Sequence, residues 1–130
     1  MVLAEDARED VEELLTKELV YIRKIGDLVD LSSDEKSLKD EEINIPVQIT
    51  FQNYNQRQTF MGSSKITAIV GLFRYEYCFD INGRLLKPKL IPKRNDYIKF
   101  LSRKLQIKEC TPATSEDDLV IAWDFTAEEV

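Results

Sequence analysis

The strongest strand signal in the chain lies in residues 66–83, whose sequence is ITAIVGLFRYEYCFDING. β-branched and aromatic residues dominate its first half, and charged residues then alternate with Phe and Tyr, as in a strand with one buried face. Gly71 indicates a bulge or bend within this strand. Asn82 and Gly83 tolerate the positive φ angles of a type I′ turn, so we predict a hairpin that returns through residues 84–87.

A strand of the same two-residue period precedes this one. Ile45, Val47, Ile49 and Phe51 alternate with polar residues or Pro46. Since Pro46 has no N–H to donate, we expect it at the start of the strand or on an edge. The remaining pattern predicts a turn at 53–56, a returning strand at 58–61, a break at 62–64, a polar loop at 111–118, a last strand at 119–125 and a frayed acidic tail at 126–130.

Two segments have helical spacing. Residues 5–25 place acids in the first turns and put five apolar residues on one face, namely Val11, Leu14, Leu15, Leu19 and Ile22. Arg23 and Lys24 suit the carbonyl end of this helix, and Gly26 suits its stop. An acidic linker is predicted at 32–42. A second helix is predicted at 95–106, capped by Asn95, with Ile98, Leu101 and Leu105 facing inward.

These elements predict an α+β fold, a two-layer sandwich in which helices cover a mainly antiparallel sheet of four to five strands. The chain is expected to form one domain over residues 1–130, with its α+β core at 43–125. The element order is similar to that of RWD-type interaction domains. This resemblance concerns element order alone, and no sequence motif assigns the chain to that family.

Composition excludes several kinds of site. The chain has no His and two Cys, so Ser-His-Asp triads, Cys-His nucleophiles and HExxH zinc sites are ruled out. Cys78 and Cys110 are too far apart for a CxxC motif, and we predict two reduced thiols rather than a disulfide. Runs of acids such as 40–42 and 116–118 lack the ligand spacing of a calcium loop. We therefore predict no metal site, no cofactor and no catalytic residue.

The location of the protein is also constrained. Acids near the N-terminus stand where a signal peptide needs bases, and no apolar run approaches the ~20 residues that cross a bilayer. An intracellular protein, cytoplasmic or nuclear, with no membrane span is expected.

Charge is strongly segregated along the chain. The formal net charge is −6, yet residues 84–109 contain nine Lys or Arg and two acids, whereas residues 1–42 contain fourteen acids and six bases. In the predicted second helix, the basic residues lie away from the apolar face. We therefore predict a basic patch formed by Arg84, Lys87, Lys89, Lys93, Arg94, Lys99, Arg103 and Lys104.

The leading functional hypothesis is a non-catalytic protein-interaction module, an adaptor or complex subunit. It would bind a protein partner with an acidic surface through the basic patch, and a further contact through a sheet edge or the apolar helix residues Val11, Leu15, Leu19 and Ile22. Pairing of two copies through this helix is an alternative use of the same face.

Two other classes of function remain open. A nucleic-acid or phosphate-binding module would use residues 84–108 and lose binding at high salt or on reversal of Lys99, Arg103 and Lys104. A small enzyme or ligand carrier would have a closed pocket lined by Tyr75, Tyr77 and Trp123.

Overall fold

The computed structural model describes residues 3–26, 38–59 and 62–130. Within these ranges the chain forms one helix followed by strands that occupy most of its length. The elements are α1 (Ala4–Leu14), β1 (Lys17–Gly26), β2 (Leu38–Thr59), β3 (Gly62–Arg74), β4 (Tyr77–Phe79), β5 (Leu85–Leu90), β6 (Tyr97–Phe100), β7 (Arg103–Thr114) and β8 (Val120–Glu129).

Six strands close into an antiparallel barrel in the order β1-β2-β3-β8-β7-β6. Two meanders, β1–β2–β3 and β6–β7–β8, meet where β3 pairs with β8 and where β6 pairs with β1. The β1–β6 seam is short, joining residues 20–22 to residues 97–99. The predicted two-layer α+β sandwich is wrong. The resemblance to the element order of RWD-type domains is lost as well, because one helix is followed by strands alone.

The barrel interior is packed with buried, mostly apolar side chains. Phe73 stacks on Phe125 with 4.0 Å between ring centroids, and Tyr21 meets Phe73 edge-on at 5.8 Å. Burial of each such ring stabilises the fold by about 1.5–3 kcal/mol. The other buried core residues come from every barrel strand and from the β4–β5 hairpin, and include Leu19, Ile43, Ile45, Val47, Ile69, Tyr77, Leu86, Leu90, Ile98, Leu105, Ile107 and Ala127.

The bulge expected at Gly71 lies on the opposite strand. The β2–β3 register shifts between Ile49 and Phe51, directly across from Gly71. Gly71 itself allows close packing, because a Cβ there would lie 2.1 Å from the carbonyl oxygen of Gln48. Gly71 therefore lets β2 and β3 lie close together beside the Phe125 ring.

The first predicted helix is too long. α1 ends at Leu14, and β1 begins at Lys17. Leu19 and Tyr21 are buried in the barrel, whereas Val20 and Ile22 are half-buried on its outer side. Leu19 and Ile22 are three residues apart and so fit the spacing of a helix, but on β1 they lie on opposite faces. Residues 20–22 are β-branched or aromatic, which favours a strand.

The second predicted helix, 95–106, is a hairpin formed by β6 and β7. Leu101 and Ser102 connect the strands with φ angles of 51° and 64°, as in the two central residues of a type I′ turn. Ile98 and Leu105 face the core as expected, but Leu101 is 68% exposed. Asn95 caps no helix, and its own φ is 73°.

The Leu101–Ser102 turn offers a stabilising substitution. Left-handed backbone costs an ordinary residue roughly 1–2 kcal/mol, whereas Asn and Gly tolerate it. We expect Leu101→Asn/Ser102→Gly to raise the free energy of unfolding by about 1–2 kcal/mol, measured by urea denaturation. The control Leu101→Ala keeps the strained geometry and should give no comparable gain; equal gains from both variants would contradict the explanation.

Several local predictions are corrected by the strands. The turn predicted at 53–56 lies within β2, and the break predicted at 62–64 lies within β3. Residues 38–42 of the predicted linker belong to β2. Residues 32–37 of that linker lie outside the described residues. β7 extends to Thr114, which leaves a shorter loop, and the predicted frayed tail continues β8 to Glu129.

The hairpin at Asn82–Gly83 is confirmed, with a different turn. Asp80 and Arg84 pair across a three-residue connection in which Gly83 has a φ of 82°. The Asp80 carboxylate accepts hydrogen bonds from the backbone N–H groups of Asn82 and Arg84, at 3.0 and 2.7 Å. A single left-handed Gly in a three-residue loop replaces the type I′ turn.

Candidate binding cleft

A cleft of about 780 Å³ lies on the outer wall of the barrel, where β1, β6 and β7 face the connection between β5 and β6. We call it the cationic cleft. Its apolar lining consists of Ile22, Pro88, Leu90, Ile91 and Tyr97, and its charged lining consists of Arg23, Lys24, Asp40, Lys89, Lys93, Asp96 and Lys104. Five cations face two carboxylates, so the cleft is locally positive in an acidic chain.

Two of the five cations are already engaged. Arg23 donates to the Glu41 carboxylate at 2.9 Å and to the carbonyl oxygen of Pro88, and its side chain is 11% exposed. Lys89 lies 3.2 Å from a Glu76 carboxylate oxygen, and this contact raises the pKa of Lys89. Both residues hold the cleft together rather than offering a free charge.

Three lysines remain for a ligand. Within residues 3–26, 38–59 and 62–130, no carboxylate oxygen lies within 4 Å of Lys24, Lys93 or Lys104. Lys104 Nζ sits 4.5 Å from the centroid of the Tyr97 ring, an attractive cation–π distance that keeps the ammonium over the cleft. The three ammonium groups come from β1, the β5–β6 connection and β7.

The wall carrying Lys93 is fixed to the barrel by Tyr21. The Tyr21 hydroxyl donates to an Asp96 carboxylate oxygen at 2.6 Å and accepts from the backbone N–H of Lys93 at 3.0 Å. Burial, more than the Asp96 contact, raises the pKa of Tyr21 far above its usual value, so the hydroxyl keeps its proton. Ile107 exchanges backbone hydrogen bonds with Asn95 and Asp96 at 2.8 and 2.9 Å, and the cleft is therefore preformed.

The predicted basic patch is divided by the fold. Lys89, Lys93 and Lys104 line the cationic cleft, whereas Lys87 and Arg94 are exposed outside its lining. The other three predicted residues form ion pairs: Arg84 with Glu41 and Asp80, Lys99 with Glu42, and Arg103 with Glu129. The single basic stripe expected on one helix does not form, because residues 97–114 form the two strands β6 and β7 instead of a helix.

Arg23 and Lys24 were missed as cleft residues. In the sequence they fit the end of a helix, and no motif connects them to residues 84–108. Pairing of β1 with β6 brings them to the same wall as Tyr97. The usable signal is the β-branched and aromatic run at residues 20–22, which favours a strand for β1.

The four apolar residues proposed as partner contacts do not share a face. Val11 lies on α1 and is buried, and Leu19 lies in the barrel core at 3% exposure. Leu15 is half-buried at the end of the helix, and Ile22 lines the cationic cleft. Of these residues, Ile22 is the one placed beside the candidate site.

The residues considered for an enzyme pocket have structural hydrogen bonds. The Tyr77 hydroxyl donates to the carbonyl oxygen of Pro46 at 2.5 Å and accepts from the N–H of Arg74 at 3.1 Å, and burial raises the pKa of Tyr77. Trp123 donates its ring N–H to the carbonyl oxygen of Tyr75 at 3.0 Å. These hydrogen bonds connect β4 to β2 and to the end of β3, and connect β8 to the segment between β3 and β4.

Carboxylates and thiols are the other groups in this chain that could bind a metal or act as nucleophiles. Among the residues that the structure describes, no three Asp, Glu or Cys side chains come together as a set of metal ligands. Cys78 and Cys110 are free and half-buried, and burial raises the pKa of the Cys110 thiol to about 11. A thiol with so high a pKa is a weak nucleophile at neutral pH.

Comparison with known proteins gives no assignment. No protein-family model matches this chain, and no curated protein matches it. The helix found in the described part of the chain is too short and too polar to cross a membrane. The cationic cleft is thus interpreted from its own chemistry.

Proposed function

We propose that this chain is a non-catalytic, intracellular protein-interaction module whose cationic cleft binds an acidic segment of a partner protein. The observation that supports the proposal is the convergence of Lys24, Lys93 and Lys104 on a preformed cleft with an apolar lining. Carboxylates of the segment would meet the three ammonium groups, while its apolar side chains would contact Ile22 and Ile91. Charge complementarity of this kind favours fast, oriented association.

An acidic peptide fits the cleft better than a nucleic acid does. Single-stranded nucleic acids bind grooves in which successive bases stack on aromatic rings, but the cleft lining offers one ring, Tyr97, and Lys104 already lies over it. The chain also carries a formal net charge of −6, which repels a long polyanion outside the cleft. A short acidic segment meets the local positive charge without that penalty.

The test is reversal of the charge of the three cleft lysines Lys24, Lys93 and Lys104. We expect Lys24→Glu/Lys93→Glu/Lys104→Glu to weaken binding of a fluorescent peptide of alternating Glu and Leu by roughly a hundredfold, since each lost charge contact contributes about 1 kcal/mol. Fluorescence anisotropy at two salt concentrations gives the dissociation constants. Circular dichroism confirms that the variant keeps the barrel.

A matched control carries the same change of charge elsewhere. Lys17→Glu/Lys87→Glu/Lys108→Glu replaces three exposed lysines that do not line the cleft, and it should bind the peptide within about threefold of wild type. Equal losses in both triple variants would show a nonspecific charge effect and overturn the proposal. If the wild-type chain does not bind the peptide but binds an oligonucleotide through the same lysines, the nucleic-acid alternative replaces the proposed function.

A further inference from the structure

The β2–β3 hairpin extends beyond the barrel as a two-stranded ribbon. β2 pairs with β1 up to Val47 and with β3 from Gln48 to Thr59, while β3 pairs with β8 only from Ala68 onward. Residues 54–59 and 62–67 therefore pair only with each other among the described strands. We call these two segments the ribbon; six residues per strand correspond to about 20 Å.

Residues 54–59 and 62–66 have no third strand beside them in the described part of the chain. Two strands alone are marginally stable in water, and a third strand or a packed face is normally required. Along residues 48–59, β2 presents one edge with no strand partner in the described part of the chain. Its unpaired backbone N–H and C=O groups form a template for one more strand.

Beyond the bulge between Ile49 and Phe51, the open edge of β2 has few of the sequence features that block strand pairing. Natural edges are protected by Pro, Lys or inward-pointing charges, but residues 51–59 contain no Pro and a single charge, Arg57. The β3 segment of the ribbon contains Lys65 as its one charge. From Ile43 to Tyr75 the chain has no Asp or Glu.

We propose that the open edge of β2 pairs antiparallel with the same edge of a second copy of this chain. Such a pair is self-complementary about a twofold axis, and it would join two ribbons into one four-stranded sheet. The near absence of charge in residues 48–59 means that two copies do not repel each other there. A duplex nucleic acid is less suited, because two cations over the ribbon provide few phosphate contacts.

Register makes the proposal specific. With the twofold axis at Tyr54, the middle of the open edge, Gln52 of one copy lies opposite Gln56 of the other. By the same symmetry Gln56 of the first copy lies opposite Gln52 of the second, so this pair of positions meets twice. Neither lies in the cationic cleft, so this proposal and the proposed function succeed or fail separately.

Charge complementation tests the pairing. Gln52→Glu/Gln56→Glu and Gln52→Lys/Gln56→Lys each place like charges opposite one another, and we expect each variant to self-associate roughly tenfold more weakly than wild type. An equal mixture of the two variants places Glu opposite Lys and should restore association to the wild-type level. Light scattering over a dilution series of the full chain measures all four samples.

Three results would overturn self-pairing. The first is a wild-type chain that stays monomeric across the series, and the second is that both variants associate as tightly as wild type. The third is a mixture no stronger than the separate variants. A gel shift with duplex DNA accompanies the series, and a monomer whose DNA binding is lost only in the Glu variant would assign the ribbon to nucleic acid instead.

Discussion

Replacing Gly71 by Ala will lower the free energy of unfolding by about 3 kcal/mol, because the added methyl group has no space. It would lie 2.1 Å from the Gln48 carbonyl oxygen and 2.9 Å from a ring carbon of Phe125. The first of these atoms belongs to the backbone of β2, so it cannot move away without disturbing the β2–β3 pairing. The Phe125 ring is held in turn by its stacking on Phe73.

Gly83→Ala is the matched control for this substitution. Gly83 has a φ of 82°, and no heavy atom outside Gly83 and its two neighbours in the chain lies within 4 Å of the position that its Cβ would take. The expected loss is therefore the backbone penalty alone, about 1 kcal/mol. Urea denaturation of both variants compares the two losses, and a Gly71→Ala loss no larger than that of Gly83→Ala would refute the packing explanation.

Removal of residues 126–130 is the second change with a large expected effect. Ala127 is fully buried and pairs with Ile69 on β3 and with Ile107 on β7. The Glu129 carboxylate accepts from the N–H of Thr67 at 3.0 Å and from Arg103 at 3.1 Å. Truncation removes the end of a strand that lies between two others, and we expect a loss of at least about 3 kcal/mol.

Deletion of Val130 alone is the control for the truncation. Its side chain is 67% exposed, and its N–H donates one hydrogen bond to the carbonyl oxygen of Lys104 at 3.1 Å. The loss should stay near 1 kcal/mol. Thermal denaturation of the two truncated chains measures the difference; if the longer deletion proved as mild as the shorter one, the end of β8 would contribute nothing to closing the barrel.

Local signals in the sequence predicted some of the fold correctly. The turn at Asn82–Gly83 is visible because Gly tolerates a positive φ, and the alternation of Ile45, Val47 and Ile49 is visible because one side of β2 is buried. The β6–β7 turn escaped because Leu101 and Ser102 are not residues that normally occupy left-handed backbone. Barrel closure escaped as well, since it depends on β1–β6 and β3–β8 pairs that no local pattern encodes.

The candidate site was predicted in part. Lys89, Lys93 and Lys104 belong to the basic segment and line the cationic cleft. Arg23 and Lys24 could not be added from sequence, because their place depends on β1 being a strand. Ion pairing of Arg84, Lys99 and Arg103 with distant carboxylates is likewise invisible in a linear pattern of charge.

The shortness of the β1–β6 seam has a consequence for the dynamics of the barrel. Only residues 20–22 and 97–99 join these strands, so amide protons there should exchange with solvent faster than those of the longer ladders. Ile22 and Tyr97, which stand on opposite sides of this joint, both line the cationic cleft. A ligand that contacts both residues would stabilise the β1–β6 pairing. Binding in the cationic cleft would therefore slow local opening of the barrel.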